Sequence, residues 1–356
     1  MLKHLVSARQ LTPEVLTRLF STTREIEEFW VKHRMNSGLG KTEFLQRFGV
    51  VGKTMIPFFY ESSTRTRVSF HMAWRFLGGD IPFTTEHAGI FSSAAKGESL
   101  EDTIQVLSHY GPDLIVLRHP DDDSGERAAT STDISPFPTS IINAGSGSNE
   151  HPTQALLDAY TIQKFLHRTE RFSIAFMGDL AKGRTVRSLA ILLSQYPGVR
   201  MYFVAPALAQ IGDDLRQKLR AANVEFYEME DGWQSLIKDK AINFLYQTRL
   251  QEERWQNQPD TLAEILRLQP FYTITEEIGL LMYKHKVLLM HPMPIRDEIA
   301  VPVRHLPCYI AYLQAQCGFF TRMGLMSEMI HAHETENSVW WRNHQPKAEL
   351  AVAASM

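Results

Sequence analysis

One stretch, residues 54–79, constrains the fold of this chain more than any other. The apolar run over residues 54–60 predicts a buried strand, and residues 68–77 predict a helix that ends at Gly78-Gly79. Between strand and helix lies the turn Glu61-Ser62-Ser63-Thr64-Arg65-Thr66-Arg67. A strand, a turn and a helix in this order leave backbone N–H groups unpaired at the helix start, directed towards one point.

The side chains of residues 63–67 predict that this point binds a phosphate or a similar dianion. They supply three hydroxyl groups and two guanidinium groups as further hydrogen-bond donors. The alternative interpretation is that Ser63 merely caps the helix and that both arginines serve solubility. Two arginines in a first helical turn oppose the helix dipole, which favours anions there, so we favour the anion site. Arg65 is expected to bind the anion, and Arg67, one turn deeper, to be structural.

Strands and helices alternate along the whole chain, which predicts parallel βαβ units. With 356 residues, 44% of them hydrophobic, the chain can bury one large core or, as we expect, two. We predict an α/β fold of two doubly wound parallel-sheet domains with the active site in the cleft between them. The predicted strands are 54–59, 80–85, 113–117, 139–143, 173–177, 200–204, 224–227, 243–246 and 286–290. The predicted helices are 13–34, 68–77, 98–110, 125–131, 151–165, 184–194, 209–222, 260–268 and 309–331.

Composition narrows the classes of partner and compartment. The net charge of −3 argues against nucleic acid as a partner. The only two cysteines, Cys308 and Cys317, exclude a disulfide framework and a zinc-thiolate site, and they suit a reducing compartment. No apolar run approaches the length of about 18 residues that a membrane helix needs, and the first residues lack a secretory signal pattern. We therefore expect a cytoplasmic protein with no membrane span.

Further candidate site residues follow predicted strands. Arg118 follows the strand at 113–117. His151 opens a helix, where a histidine is held neutral and can donate to a carbonyl oxygen, although it could equally be a plain capping residue. Arg184 and Arg249 follow strands of the second half, and together they would suit a substrate with two carboxylates, each held bidentately.

Three other motifs do not predict a site. Residues 49–54 do not complete a phosphate-binding Walker A loop, because Arg47 stands where that loop requires glycine. Residues 178–183 lack the glycine pattern of a dinucleotide site. His331-Ala332-His333-Glu334 could bind a metal, but its polar surroundings favour a solvated segment.

Four motifs in this order and spacing resemble the aspartate/ornithine carbamoyltransferases over about residues 5–330. They are Ser63-Thr64-Arg65-Thr66-Arg67, Arg118-His119-Pro120, His151-Pro152-Thr153-Gln154 and His291-Pro292-Met293-Pro294. Ornithine enzymes carry His-Cys-Leu-Pro at the last motif, and the sets Gly183-Arg184-Thr185 and Thr248-Arg249-Leu250-Gln251 also look like the aspartate pattern. The chain is therefore similar to the catalytic subunits of the aspartate branch of this family.

The resemblance implies a site for carbamoyl phosphate. Its phosphate would be held by Ser63, Thr64, Arg65, Thr66 and Arg118, and its carbonyl oxygen by Thr66, Arg118 and His151. Gln154 and the carbonyls of Met293 and Pro294 would orient its NH₂ group. Ser92 and Lys96 would reach the site from a neighbouring subunit of a homotrimer. The residues expected to contribute to catalysis are Arg65, Thr66, Lys96, Arg118 and His151.

The resemblance also implies the second substrate and the reaction. Arg184, Thr185, Arg249 and Gln251 would bind L-aspartate with help from Lys96, while Glu61 and Arg254 would pair to hold the domains closed. The α-amine of aspartate would take the carbamoyl group, giving N-carbamoyl-L-aspartate and phosphate in pyrimidine biosynthesis, with no metal and no cofactor. Residues 1–157 and 310–356 would form the carbamoyl-phosphate domain, the last helix returning to it, and residues 158–309 the aspartate domain.

Departures from the family pattern leave two alternatives open. Ile295 separates Pro294 from Arg296, Ala181-Lys182 replaces a more typical Lys-Tyr pair, and a basic residue often found beside Lys96 is missing. A carbamoyltransferase for another amino acid or amine, or a non-catalytic homologue acting as an assembly partner, would tolerate such changes. The resemblance also leaves open whether a regulatory chain or a dihydroorotase-like partner associates with the chain.

Overall fold

A computed structural model describes residues 2–35, 40–147 and 149–343 of the chain. Its first sheet is parallel in the order β1-β2-β3, formed by β1 Met55–Phe59, β2 Leu114–His119 and β3 Ser140–Ser146. The helices of this part are α1 Pro13–Met35, α2 Lys41–Phe48, α3 Thr64–Phe76, α4 Ala88–Phe91, α5 Leu100–His109, α6 Ser124–Thr132 and α7 Pro152–Leu166. In the part of the chain that the structure describes, no helix has the length and hydropathy needed to cross a bilayer.

The predicted strand at 80–85 is wrong as a continuous strand. Asp80 and Thr85 form only isolated parallel bridges with the β1 edge, through Met55 N donating to Asp80 O at 3.0 Å and Phe59 N donating to Thr85 O at 3.2 Å. Pro57 faces this edge midway between those two donors, and it has no N–H to continue the ladder. The segment therefore covers the edge of the sheet without joining it fully.

The second sheet is also parallel, with strand order β6-β5-β4-β7-β8. Its strands are β4 Ser173–Met177, β5 Arg200–Val204, β6 Glu225–Met229, β7 Phe244–Gln247 and β8 Leu288–Met290. The intervening helices are α8 Arg184–Leu193, α9 Asp213–Ala221, α10 Gln234–Lys238, α11 Pro259–Leu268 and α12 Glu276–His285, of which α10 and α12 were not predicted. Successive strands are added on both sides of β4, which makes this a doubly wound sheet. The predicted α/β fold of two parallel-sheet domains is therefore confirmed.

The last helix, α13 Ala311–Asn343, packs against α1, α3 and α7 of the first part. It continues past the predicted end at residue 331, because no glycine or proline stops it between Gly324 and Asn343. Residues 344–356, which we assigned to the first domain, lie outside the described residues.

Packing of α3 fixes which of its faces borders the cleft. Phe70, Ala73 and Trp74, at helical spacing i, i+3 and i+4, are fully buried, and the Trp74 indole donates to Asp80 O at 2.9 Å. Burial of one large aromatic side chain stabilises the fold by about 2–3 kcal/mol. Ser69 and Met72, on the other side of the helix, line the cleft instead.

In each sheet, the point where the strand order changes direction lies beside the same cleft. β1 lies between β2 and the 80–85 segment, and β4 lies between β5 and β7. Ligands of open α/β sheets bind beyond the carboxyl ends of strands at such a reversal. The turn after β1 and the turns after β4 and β7 therefore meet in one place.

Candidate active site

A cleft of about 1450 Å³ lies between the two sheets. Its lining includes every predicted binding residue except two: Ser63, Thr64, Arg65, Thr66, Arg118, His151, Gln154, Arg184, Thr185, Arg249, Gln251, Met293 and Pro294. Ser92 and Lys96 do not line it. They lie on the short turn that follows α4, where the Ser92 hydroxyl donates to Ala88 O at 2.5 Å.

The turn after β1 holds its hydroxyl and guanidinium groups open to the cleft. α3 begins at Thr64, so Ser63 occupies the N-cap position, but its side chain makes no capping hydrogen bond. Its backbone N donates instead to Glu86 Oε1 at 2.8 Å. The plain capping interpretation of the Ser63 side chain is therefore wrong.

The two arginines of this turn have different surroundings. Arg67 Nη2 lies 3.1 Å from Glu86 Oε2, so it ties α3 to the following segment. Arg65 is exposed, and its side chain makes no hydrogen bond or ion pair with any residue that the structure describes. Partial desolvation, and next the charge of Arg249, lower the pKa of Arg65. A cation that lacks a counter-ion and faces a second cation is poised to bind an anion.

Arg118 lies within β2, which extends two residues beyond the predicted strand. Its Nη1 donates to Ala144 O at 3.3 Å, and its Nη2 lies 3.4 Å from Glu61 Oε2. Burial lowers the pKa of Arg118, an effect that Glu61 opposes and that Arg254 and Arg65 reinforce. Its Nε has no partner among the described residues.

Arg184 is the first residue of α8 and reaches across to the first sheet. Its Nη1 donates to Gly147 O at 2.8 Å and lies 3.5 Å from Glu61 Oε2. Burial, and next the neighbouring Arg118 and Arg254, lower its pKa to about 9. Arg254 Nη2 donates to the same Gly147 carbonyl at 2.7 Å.

These contacts correct the predicted pairing of Glu61 with Arg254. Glu61 faces Arg118 and Arg184 instead, and Arg254 is held by a backbone carbonyl. The carboxylate of Glu61 lies beside the buried guanidinium of Arg184 and the largely buried one of Arg118, because a charge removed from water gains most from a counter-ion. Glu61 therefore still bridges the two halves of the chain, but through Arg184 and not through Arg254.

His151 occupies the N-cap position of α7 and is 5% exposed. Its backbone N donates to Ser188 Oγ at 2.8 Å, and its Nδ1 lies 3.3 Å from Thr153 Oγ1. Burial, followed by the charges of Arg184 and Arg118, holds the pKa of His151 well below its ordinary value. The imidazole is therefore neutral and can donate a hydrogen bond to a developing oxyanion.

The loop after β8 closes one side of the cleft. His291 Nδ1 accepts from Met293 N at 2.8 Å, and its Nε2 lies 2.8 Å from Glu298 Oε1. Met293 has a φ of 64° and precedes a cis peptide bond to Pro294. Arg296, displaced by the additional Ile295, donates to Glu252 at 2.7 Å and does not line the cleft.

Arg249 and Gln251 follow β7, the direct neighbour of β4 in the sheet. Arg249 Nη1 donates to Leu250 O at 2.9 Å and to Glu253 Oε2 at 3.0 Å, and the hydrogen bond with Glu253 raises its pKa. Gln251 Nε2 donates to Lys182 O at 2.8 Å. The predicted placement of Arg184 and Arg249 at neighbouring strand ends is confirmed.

Sequence reasoning missed three buried polar residues at the cleft: Gln314 and Arg322, which line it, and Asp158, which lies behind the lining. Asp158 accepts from Gln154 Nε2 at 2.9 Å and from Gln314 Nε2 at 2.6 Å. Arg322 Nη1 donates to Ser69 Oγ at 2.9 Å, and burial lowers its pKa to about 10. All three residues interrupt apolar stretches of helices α7 and α13. A single charged residue within an apolar helical stretch is the signal that could have identified Asp158 and Arg322.

No group of three or more His, Cys, Asp or Glu side chains within the described ranges is arranged to hold a metal ion. Of the candidate set at 331–334, His331 Nε2 lies 3.1 Å from Gly49 O, and the side chains of His333 and Glu334 lie outside the described residues. The chemistry that the cleft offers is electrostatic: many guanidiniums for anions and a neutral imidazole for an oxyanion.

Comparison with known proteins agrees with this chemistry. The carbamoyl-P binding domain model of aspartate/ornithine carbamoyltransferase matches residues 3–164, and the Asp/Orn binding domain model matches residues 170–329. The aspartate carbamoyltransferase catalytic subunit of Methanocaldococcus jannaschii is 39% identical over 94% of this chain and 100% of that protein. The chloroplastic aspartate carbamoyltransferase of Oryza sativa is 39% identical over 91% of this chain and 84% of that protein.

Solved structures show the same similarity. The catalytic subunit of M. jannaschii aspartate transcarbamoylase has a TM-score of 0.78 and 38% identity, covering 94% of this chain and 99% of that one. Aspartate transcarbamoylase from Trypanosoma cruzi, in complex with carbamoyl phosphate and aspartate, has a TM-score of 0.77 and 31% identity, covering 91% and 94%. The chain therefore belongs to the aspartate/ornithine carbamoyltransferase family.

Proposed function

We propose that this protein transfers the carbamoyl group of carbamoyl phosphate to the α-amine of L-aspartate, giving N-carbamoyl-L-aspartate and phosphate. One observation carries the proposal: a single cleft joins the hydroxyl- and guanidinium-rich turn after β1 to Arg184 and Arg249 on neighbouring strands of the second sheet. The first set suits a phosphate, and the second suits a dicarboxylate. The ligands of the T. cruzi relative, carbamoyl phosphate and aspartate, have these two chemistries.

Carbamoyl phosphate binds first in this proposal. The N–H groups at the start of α3, with Ser63, Thr64, Arg65 and Thr66, hold its phosphate. Arg65, exposed to the cleft, and Arg118, whose Nε has no partner among the described residues, supply the positive charge. The bound dianion offsets the mutual repulsion of the arginines, which favours subsequent closure around the second substrate.

The carbonyl oxygen lies against Thr66, Arg118 and His151. Negative charge grows on that oxygen as the amine attacks, and donors fixed in advance stabilise it without reorganisation. His151 contributes as a neutral donor because its burial beside Arg184 and Arg118 prevents protonation. Gln154 and the carbonyls of Met293 and Pro294 accept from the carbamoyl NH₂ and so orient it.

Arg184, Thr185, Arg249 and Gln251 bind the carboxylates of aspartate. The Arg249 guanidinium is held by Glu253, and the Gln251 backbone N is held by buried Asp179 at 3.1 Å, so both are oriented in advance. A C–N bond then forms between the α-amine and the carbamoyl carbon, and the bond from that carbon to the phosphate oxygen breaks. The departing phosphate accepts the amine proton, so positioning and charge stabilisation supply the rate.

The assembly, domain division and location that we propose follow from the family and the fold. We propose a homotrimer in which Ser92 and Lys96 enter the cleft of a neighbouring subunit, since both lie outside the cleft of their own chain. Residues 1–157 with 310–356 form the carbamoyl-phosphate domain and residues 158–309 the aspartate domain, supported by the packing of α13 on α1, α3 and α7. Two free, buried cysteines support a reducing compartment, and we propose the cytoplasm. The proposed reaction implies a role in pyrimidine biosynthesis.

An acceptor screen tests the proposed reaction. Phosphate release from carbamoyl phosphate is measured with aspartate, ornithine and related amines, and we expect turnover with aspartate alone. Turnover with another amine but not aspartate would establish the alternative acceptor, and no turnover with any amine would refute catalysis. Arg249→Ala is expected to raise KM for aspartate far more than KM for carbamoyl phosphate.

Two further measurements test the proposed roles. N-(phosphonacetyl)-L-aspartic acid, the ligand of another T. cruzi structure, is expected to bind far more tightly than phosphonoacetate or succinate. Calorimetry that shows no such gain would refute the two-substrate cleft. For the shared site, mixing inactive Lys96→Gln with inactive Arg65→Ala chains is expected to restore part of the activity, and mixtures that stay inactive would refute the sharing.

A further inference from the structure

We propose that Asp158 is a positioning residue that aligns, through one carboxylate oxygen, both sets of acceptors for the carbamoyl NH₂ group. The inference rests on the proposed function and assigns a role to a residue that does not itself line the cleft. It explains how a site dominated by cations recognises the neutral end of its first substrate.

Asp158 lies on α7 with no solvent exposure, and three donors converge on it. Gln154 Nε2 and Gln314 Nε2 both donate to Oδ1, at 2.9 Å and 2.6 Å. Tyr246 OH donates to Oδ2 at 2.7 Å. The carboxylate thereby connects α7 with α13 and with β7 of the second sheet.

The first consequence concerns the amide of Gln154. A glutamine amide can present either its oxygen or its NH₂ to a ligand. The Oδ1 atom of Asp158 faces two amide donors, so it carries no proton and only accepts hydrogen bonds. Because Asp158 engages Nε2, the Oε1 atom is the end left for the cleft that Gln154 lines. An amide oxygen there can accept from a carbamoyl NH₂, whereas the opposite orientation would place two donors against each other.

The second consequence concerns the loop after β8. Gln314 Nε2 is likewise committed to Asp158, so its Oε1 accepts from the backbone N of His291 at 2.8 Å. His291 in turn accepts from Met293 N at 2.8 Å, which fixes the loop whose Met293 and Pro294 line the cleft. The positions of both acceptor sets therefore depend on Oδ1 of a single residue.

Asp158 can keep this role because its environment holds it in place. Burial raises the pKa of Asp158 to about 7. Its three hydrogen-bond donors and the charge of Arg322 oppose that rise and favour the carboxylate. Tyr246, whose pKa is raised well above its ordinary value by burial, remains a phenol and donates throughout. All three donors lose their acceptor if the carboxylate is removed.

The test compares two ligands that differ only at the recognised end. Phosphonoacetamide carries the NH₂ group, and phosphonoacetate carries a carboxylate in its place. We expect Asp158→Ala to lower the ratio of the phosphonoacetate Kd to the phosphonoacetamide Kd by about 10-fold, the effect of losing one well-oriented hydrogen bond. Asp158→Asn, which keeps an oxygen that can stand at Oδ1, is expected to change the ratio by less than about threefold.

A double variant separates positioning from general damage. In a Gln154→Ala background, Asp158→Ala is expected to lower the ratio by a smaller factor, about threefold, because only the Met293 and Pro294 acceptors are then left for it to position. An equal change in both backgrounds, or no change in either, would overturn the proposal. Asp113→Ala removes a carboxylate that accepts from Thr54 N at 2.8 Å at the amino ends of β1 and β2, away from the cleft, and it should leave the ratio unaltered.

Folding failure does not leave the proposal untested. If Asp158→Ala does not fold, Gln314→Met is measured instead, since it breaks the link to His291 while Asp158 remains. A reduced ratio supports the proposal, and an unchanged ratio refutes it. Both ligands bind without turnover, so an absence of aspartate carbamoylation in the wild-type protein would refute the proposed function and not this inference.

Discussion

Arg184 should cost the unliganded protein stability, so that its replacement by an apolar side chain strengthens the fold while abolishing ligand binding. The residue is 8% exposed, and its guanidinium lies near the charges of Arg118 and Arg254. Arginine remains charged in proteins, so the penalty persists until an anion arrives.

The magnitude follows from the surroundings of Arg184. The fall of its pKa from the ordinary value of a guanidinium to about 9 corresponds to about 5 kcal/mol that opposes the charged form. Arg184→Met removes this penalty and loses the hydrogen bond to Gly147 O, which contributes about 2 kcal/mol. Gly147 O keeps Arg254, and Glu61 keeps Arg118, so neither acceptor is left alone. The net expectation is a gain of about 3 kcal/mol, or a rise in Tm of about 5 °C.

The assay is thermal unfolding in a phosphate-free buffer, with and without N-(phosphonacetyl)-L-aspartic acid. The wild-type protein should gain Tm on adding the ligand, and Arg184→Met should start higher and gain nothing. Arg216→Met is the matched control, because Arg216 donates to Glu228 at 2.8 Å and 2.7 Å, and the charged groups that act on it among the described residues are carboxylates. Its Tm should fall slightly, by the equivalent of less than about 1 kcal/mol. A Tm for Arg184→Met at or below the wild-type value would refute the reasoning.

Three further predictions concern protonation and one glycine. Burial raises the pKa of Asp158 to about 7, so the folded protein binds a proton that the unfolded chain has released, and stability should fall as the pH rises from about 4 to about 7. Asp158→Asn should remove that dependence in Tm measured across this range, and parallel curves for the two proteins would contradict it. Burial holds the pKa of His151 far below its ordinary value, so its ring signals in NMR should not titrate between pH 8 and pH 5.5. The unfolded chain takes up a proton at His151 below about pH 6.5, so stability should fall as the pH drops below that value. A titration midpoint of the ring signals between pH 8 and pH 5.5 would disprove the neutrality of His151. Gly147 has a φ of +44°, and a Cβ there would lie 2.8 Å from the backbone O of Pro120, which cannot rotate away as the Asp122 side chain can. Gly147→Ala should therefore lower stability by about 2 kcal/mol more than Gly232→Ala, whose Cβ would meet no described atom within 4 Å. Chemical denaturation of the two variants measures the difference, and equal losses would refute the steric argument.

Much of the fold could be predicted because its signals are local. The apolar runs of β1 and β4 end at turns that the sequence marks with polar residues, and helices such as α7 begin at Pro152, as a first-turn proline predicts. The failures are also physical. The 80–85 segment reads as a strand by composition, but its pairing depends on donors of β1, one of which is missing at Pro57.

The candidate site was predictable to the extent that its residues stand in short motifs. The turn at 63–67, His151 with Gln154, and the strand-end arginines all line the cleft. Asp158 and Gln314 could not be joined by the same reasoning, because their 2.6 Å hydrogen bond connects residues 156 positions apart. The ion-pair partners of Glu61 could not be predicted either, because they depend on how far each arginine is buried.

By itself, the sequence determined the class of fold and the family, and it was enough to propose an anion-binding turn paired with a dicarboxylate site. These follow from periodicity, from residue type and from spacing along the chain, all of which are local properties. Only the tertiary structure decided which charges lie together: Arg118, Arg184 and Arg254 around Glu61 and Gly147, and three donors around Asp158. The physical reason is that protonation, orientation and electrostatic cost depend on burial and on neighbours in space, which two domains folding against each other create.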